Sequence, residues 1–149
     1  MVDAELISRK FSRLQEYVDA LREASDITWT VYRKDIRARA FVERYLHLAI
    51  EEVIDIANHI VSFHQWREPA GYRDLLLILS ERGVIPEDHL PTFQNMASFR
   101  NMLVHRYETI DPEIVFGFFS KHLDDFDRFV FLVGRWINLL GSDLANHPE

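Results

Sequence analysis

Residues 34–66, KDIRARAFVERYLHLAIEEVIDIANHIVSFHQW, decide the fold. They run without a glycine or proline, and Phe41, Tyr45, Leu48, Ala49, Glu52, Val53, Ile56, Ala57, Ile60 and Phe63 or His64 recur at helical spacing. Residues three and four apart share one face of a helix, so this pattern predicts a helix long enough to span the molecule. Arg67-Glu68-Pro69-Ala70-Gly71 stops it.

The flanking segments repeat the pattern. Leu6, Ile7, Phe11, Leu14, Val18 and Leu21 place a first helix over residues 3–25. Ser25-Asp26 breaks it, and Thr28-Trp29-Thr30-Val31-Tyr32 reads as a packed aromatic loop. Leu75, Leu76, Ile78 and Leu79 mark a short helix from Tyr72 to Arg82, ended by Gly83 as a C-terminal cap. A further helix opens at Pro86-Glu87-Asp88, with Pro91 in its first turn. Asp111-Pro112 has the form of an N-cap followed by a proline at the first helical position. Ile114 to Ile137 then carry a strongly apolar face, read as one last long helix. The expected fold is an all-α, up-and-down bundle of four main helices plus a short one. It occupies residues 1–149 as a single domain, with 142–149 as a frayed tail.

Composition supports that reading and limits function. Gly and Pro number five each in 149 residues, while 48% of residues are apolar, which favours helices over a turn-rich β fold. There is no cysteine, so neither a disulfide nor a thiolate metal site can form. No apolar run approaches the roughly 18 residues that span a bilayer, and a cytoplasmic location is expected. The net charge of −7 argues against a general nucleic-acid coat. The charge is uneven, however: residues 1–44 carry nine Lys and Arg against eight Asp and Glu, and the rest is acidic. A nucleic-acid substrate therefore requires a local basic cleft.

One stretch could form it, Ser98-Phe99-Arg100-Asn101-Met102-Leu103-Val104-His105-Arg106-Tyr107. Its apolar members tie it to a core, leaving Arg100, Asn101, His105, Arg106 and Tyr107 to face something polar. Arginine presents a fixed fork of donors suited to phosphate oxygens, and histidine exchanges a proton near neutral pH. Asn101 and His105 are four apart and share a helix face, whereas Arg100 and His105 lie roughly 140° apart. They converge only near a helix end or by the reach of the arginine. The combination points to phosphate chemistry on a substrate that carries its own nucleophile. The plainer alternative is a structural pair, with His105 capping a helix and Arg100 bonded to a carboxylate.

Arg100-Asn101-Met102-Leu103-Val104-His105-Arg106-Tyr107 resembles the signature of the HEPN superfamily. In its Arg-x4-His-x-Tyr form it is similar to the HepT-like toxins, which pair with nucleotidyltransferase antitoxins of the MNT type. The long helix with Glu43-Arg44-Tyr45, Glu51-Glu52 and Asp55, and the motif ahead of the last helix, extend the resemblance. It implies a metal-independent, homodimeric endoribonuclease without a cofactor. Arg100 and His105 are then catalytic, Asn101 supports them, and Tyr107 is the hydroxyl that the antitoxin modifies with AMP. Arg106 and Arg44 are candidate RNA contacts.

The chemistry is compatible. RNA supplies its own 2′-hydroxyl, and an imidazole acting as base or acid is worth about 10²–10⁴-fold. A guanidinium beside the developing phosphorane charge stabilises it. One histidine cannot be base and acid at once, and two His105 side chains meeting in a dimer would meet that need. AMP on Tyr107 would bring bulk and negative charge into a phosphate site.

Two other readings compete. The first is a non-catalytic HEPN module that binds a nucleotide or a nucleotidyltransferase partner. The second is a metal centre on the long helix, where Glu51, Asp55 and His59 are spaced by four. It is the weaker one, because a di-iron bundle needs Glu-x-x-His pairs on separate helices. An acidic residue on that face is instead expected to hold Arg100 or His105.

Overall fold

The computed structural model describes residues 3–105 and 110–146, with side chains for 3–104 and 110–140. Among the described residues seven α-helices run in the order α1 (Ala4–Glu23), α2 (Trp29–Lys34), α3 (Ile36–Phe63), α4 (Tyr72–Glu81), α5 (Leu90–His105), α6 (Pro112–Lys121) and α7 (Asp124–Asn146). A 3-10 turn, Glu87–His89, leads into α5. The described residues contain no strand, so the all-α bundle holds.

The organising helix is α3. Asp35 caps its start, its carboxylate accepting from Arg37 N at 2.9 Å and Ala38 N at 3.4 Å. From there it lies against each of the other six α-helices. Val42, Leu46, Ala49, Ile50, Ile56, Ala57 and Ile60 are fully buried along it. Each Val, Leu or Ile among them contributes about 1.5–3 kcal/mol on leaving water, far above any propensity term, so packing rather than propensity fixes this helix. Against it α1 sets Ile7, Leu14, Val18 and Leu21, and α5 and α7 add Phe93 and Phe129 in edge-to-face contact at 5.5 Å. Among the described side chains one charge enters this interior. Glu52 is only 6% exposed and is met by Arg13 at 3.5 Å and Lys10 at 3.9 Å, both from α1.

Gly83 sits at φ +78, with its N–H bonded to Ser80 O at 3.1 Å and the Val84 N–H to Leu79 O at 2.9 Å. That pair of bonds closes α4 as the glycine cap expected. Pro91, the second residue of α5, falls in its first turn, where a missing N–H costs nothing.

Two expectations change. Thr28–Tyr32 is not a loop: the Thr28 hydroxyl caps the Val31 N–H at 3.3 Å and starts α2. A helix of six residues has too few turns to show a period. What holds α2 is an aromatic cluster in which Trp29 and Tyr32 both pack on Phe116 of α6. The last helix is also two helices, broken at His122–Leu123. Asp124, Asp125 and Asp127 supply the acidic first turn that favours a new N-terminus, and Asp125 also accepts from His122 Nδ1 at 3.0 Å. The apolar pattern runs through the break because α6 and α7 both bury Phe and Val side chains in the same core. The backbone of α7 stays helical to Asn146, past the start of the segment expected to fray.

Candidate active site

The site forms where the C-terminal half of α5 crosses α3. Phe99 and Leu103 point into the core and are nearly buried, so the intervening residues of α5 turn outward along the edge of α3. Arg100 takes that direction and folds back onto α3, where its Nε donates to Glu51 Oε1 at 2.6 Å. Its Nη1 donates to Asn101 Oδ1 at 3.3 Å. The guanidinium carbon lies over the ring of Tyr72, the first residue of α4, 4.9 Å from its centre. Three elements thus fix one planar cation, leaving Nη2 without a partner among the described residues. Charge-assisted bonds of this kind are about twice as strong as neutral ones, and the arginine side chain is only 14% exposed. Such an arginine is oriented before any substrate arrives.

Glu51 serves a second group. His47, one turn earlier on α3, sets its Nε2 3.1 Å from the same Oε1. Its Nδ1 lies 3.5 Å from Arg44 Nη1, at the limit of a hydrogen bond. Beside this chain of Arg44, His47, Glu51 and Arg100 opens a cleft of about 270 Å³. Glu43, Arg44 and His47 line it from α3, and Leu103, Val104 and Ile110 from the other side. Burial pushes the Glu43 carboxyl above the ordinary range, with Arg39 partly opposing it. The same burial raises the Tyr32 phenol, to which the Glu43 charge adds.

The sequence-predicted residues fare unequally. Arg100, Asn101 and Arg44 fall in one network. His105 is the last residue of α5 that the structure describes. The His105 side chain, Arg106 and Tyr107 lie outside the described residues. Glu51 is the acidic residue expected to hold Arg100. The acidic face as a whole divides: Glu51 turns to α5, while Asp55 meets Lys10 of α1 at 3.7 Å. Among the described residues no three His, Asp or Glu side chains gather as a metal site would require. Sequence reasoning missed His47 and Tyr72. The four-residue step from His47 to Glu51 was a usable signal, whereas nothing local in the sequence marks Tyr72.

Comparison with known proteins bears on the family and the fold. The family description "Ribonuclease HepT-like" matches residues 14–132. The mRNA nuclease HepT of Shewanella oneidensis is 30% identical over 99 residues, covering 66% of this chain and 74% of that protein. The tRNA nuclease HepT of Aphanizomenon flos-aquae is 23% identical over 142 residues, covering 95% and 97%. Among solved structures, the tri-AMPylated HEPN toxin of Shewanella oneidensis in complex with its MNT antitoxin superposes with a TM-score of 0.80 at 25% identity, covering 91% of this chain and 99% of that one. With a family match over most of its length and the family's fold throughout the described residues, this chain belongs to the ribonuclease HepT-like family.

Proposed function

We propose that this chain is the endoribonuclease toxin of a toxin–antitoxin pair, cleaving RNA at the Arg100 site without a metal. The observation that carries the reading is the preset guanidinium of Arg100, held by Glu51 and Asn101 at the end of α5. Its open edge suits the non-bridging oxygens of a phosphodiester, where negative charge grows as the 2′-oxygen attacks. His105 exchanges a proton in that step, and Arg44 and Arg106 hold the RNA backbone. Asn101 keeps Arg100 in plane. Because RNA brings its own nucleophile, no metal-bound water is needed.

Tyr107 is the regulatory residue, two positions beyond His105. AMP transferred to its hydroxyl by an MNT-type nucleotidyltransferase antitoxin would fill the cleft with a phosphate the site is built to attract. The toxin acts as a homodimer in the cytoplasm, with residues 1–149 as one HEPN domain. Relatives carrying this fold are named for two RNA classes, mRNA and tRNA, so the target belongs to each protein's own surface.

The test is RNA cleavage by the purified chain in EDTA, beside Arg100→Ala and His105→Ala. Loss of cleavage in both variants supports the reading. If cleavage persists in both, the site is not catalytic and the chain is a binding module. Incubation with the cognate nucleotidyltransferase and ATP should add one or more AMP masses to the parent and none to Tyr107→Phe.

A further inference from the structure

We propose that the cleft between α3 and α5 holds one guanine base of the RNA, with Glu43 as the residue that selects it. The inference rests on the ribonuclease reading above and names the substrate feature that this reading leaves open.

Ala40, Glu43, Arg44 and His47 stand three, four and seven residues along α3, so they form one stripe of that helix. The stripe makes one wall of the cleft, and Leu103 and Val104 of α5 make the other. The cleft encloses about 270 Å³, below the roughly 300–1,000 Å³ of sites that take a drug-sized molecule. That space suits a single planar base between aliphatic walls. Ala40 has only a methyl group to place there, which is what leaves the slot open. The cleft is also next to the reacting phosphate. His47 meets Glu51 Oε1 at 3.1 Å, and the same oxygen holds Arg100 Nε at 2.6 Å.

Glu43 decides what enters. Its carboxylate repels a phosphate, so the backbone of the RNA stays at the mouth with the exposed Arg44 and the base goes in. Burial already pushes this carboxyl above the ordinary range. Arg39 eases that, yet it makes no ion pair with Glu43 among the described residues, and its Nη1 donates to Arg33 O at 3.2 Å. A half-buried acceptor without a donor gains from a ligand that brings one. Guanine brings two on one edge, N1–H and the 2-amino group, spaced to meet both oxygens of a carboxylate. Adenine and cytosine set one donor beside an acceptor, and uracil sets its single N–H between two carbonyl oxygens that a carboxylate repels. Single-stranded RNA exposes these edges, which is where proteins read its sequence.

The probe is a set of short RNAs, each a uridine tract with guanosine, inosine, adenosine, cytidine or uridine at its centre. The parent should cleave the guanosine RNA about tenfold to a hundredfold better than the all-uridine one, measured as kcat/KM. Inosine lacks the 2-amino group and should fall between them. Glu43→Gln offers one acceptor and an NH₂, so its guanosine-to-uridine ratio should drop to within about threefold of one. A structural role alone would slow every RNA alike and leave that ratio as it was. Ala40→Leu keeps Glu43 but fills the slot, and should erase the ratio too. Arg100→Ala, titrated with the same RNAs by fluorescence anisotropy, reads base selection apart from catalysis and should bind the guanosine RNA most tightly. Equal kcat/KM on all the RNAs in the parent overturns the assignment. So does a preference for another base, or a guanosine ratio that survives Glu43→Gln. If the parent cleaves none of them but binds the guanosine RNA selectively, the ribonuclease reading fails and the base site stands. Cleavage without selection sinks the base site alone, and the absence of both cleavage and selective binding sinks the two together.

Discussion

Arg100 and His47 share a single oxygen. From α5 the Arg100 Nε reaches Glu51 Oε1 at 2.6 Å, and from one turn back on α3 the His47 Nε2 reaches it at 3.1 Å. Glu51→Gln offers one carbonyl oxygen without a charge, plus an NH₂ that repels any donor turned toward it. A hydrogen bond to a charged group is worth about 1.5–3 kcal/mol, so kcat for RNA cleavage should drop about tenfold to a hundredfold. The Glu51 side chain is 30% exposed, and pairs of that kind contribute about 1 kcal/mol or less to stability. Kinetics and thermal melting should therefore separate. A large fall in Tm without a fall in kcat would show that the bond serves packing alone.

Arg100→Lys is the second prediction. Lysine keeps the charge but lacks the fork that meets Glu51 and Asn101 together while its carbon sits over Tyr72. Its activity should be within about tenfold of Arg100→Ala rather than of the parent. Tyr72 divides the contributions further. Tyr72→Phe retains the ring under the guanidinium and should cleave like the parent. Tyr72→Leu loses a cation–π contact worth about 0.5–1 kcal/mol, or severalfold in kcat. Equal rates for Arg100→Lys and the parent would mean that charge alone suffices.

These residues also show where sequence ends as a guide. Periodicity located α3 through Ala49, Val53, Ile56 and Ile60, but burial on several sides also takes Val42, Leu46 and Ile50, which the stripe through Phe41, Tyr45 and Leu48 left out. The motif located Arg100 and the end of α5 by its concentration of polar types. Neither could locate Tyr72, which meets Arg100 only because α4 packs against α5. His47 was half visible through its spacing to Glu51. The break at His122 was invisible to hydropathy, since a chain that turns while still facing one core keeps its apolar rhythm. The signal there was the acidic run at residues 124–127, a cue to helix starts rather than to hydrophobicity. Likewise Thr28 marked a start in front of a helix too short to have a period.

A third prediction concerns pH and lies away from the site. Arg67 grips Asp74 through two bonds, at 2.7 and 2.9 Å, while the Ala70 N–H donates to the same carboxylate. The arginine first, and the backbone N–H after it, hold the Asp74 carboxyl down at about 2. A carboxyl lowered in the folded state adds stability above its unfolded pKa, near 4. That contribution disappears as pH falls from about 4 to about 2. NMR titration of the Asp74 carboxyl should place it near 2 in the parent and back toward the ordinary aspartate range in Arg67→Ala. An unchanged midpoint in the variant would rule out Arg67 as the main cause.

The end of α3 offers a test of backbone strain. Gln65 has φ +54, a left-handed conformation that side chains with a Cβ adopt at a cost. It is held there by the same two bonds that close α4 at Gly83: the Gln65 N–H to Ser62 O and the Trp66 N–H to Val61 O, both 3.1 Å. Trp66 in turn stacks on His64 at 4.8 Å and meets Trp136 of α7 edge-on at 6.0 Å, so the helix end cannot relax without disturbing a cluster of rings. Gln65→Gly removes the strain but frees the unfolded chain, and the first effect outweighs the second at such caps. Stability should rise by about 0.5–1 kcal/mol, or roughly 1–4 °C in Tm for a chain of this size. Gln65→Ala keeps the Cβ and should show no such gain. Because the cap stands at the opposite end of α3 from Asp35 and the cleft, RNA cleavage by Gln65→Gly should match the parent. A variant that melts lower than the parent would mean that the Gln65 side chain, rather than its backbone, holds the turn.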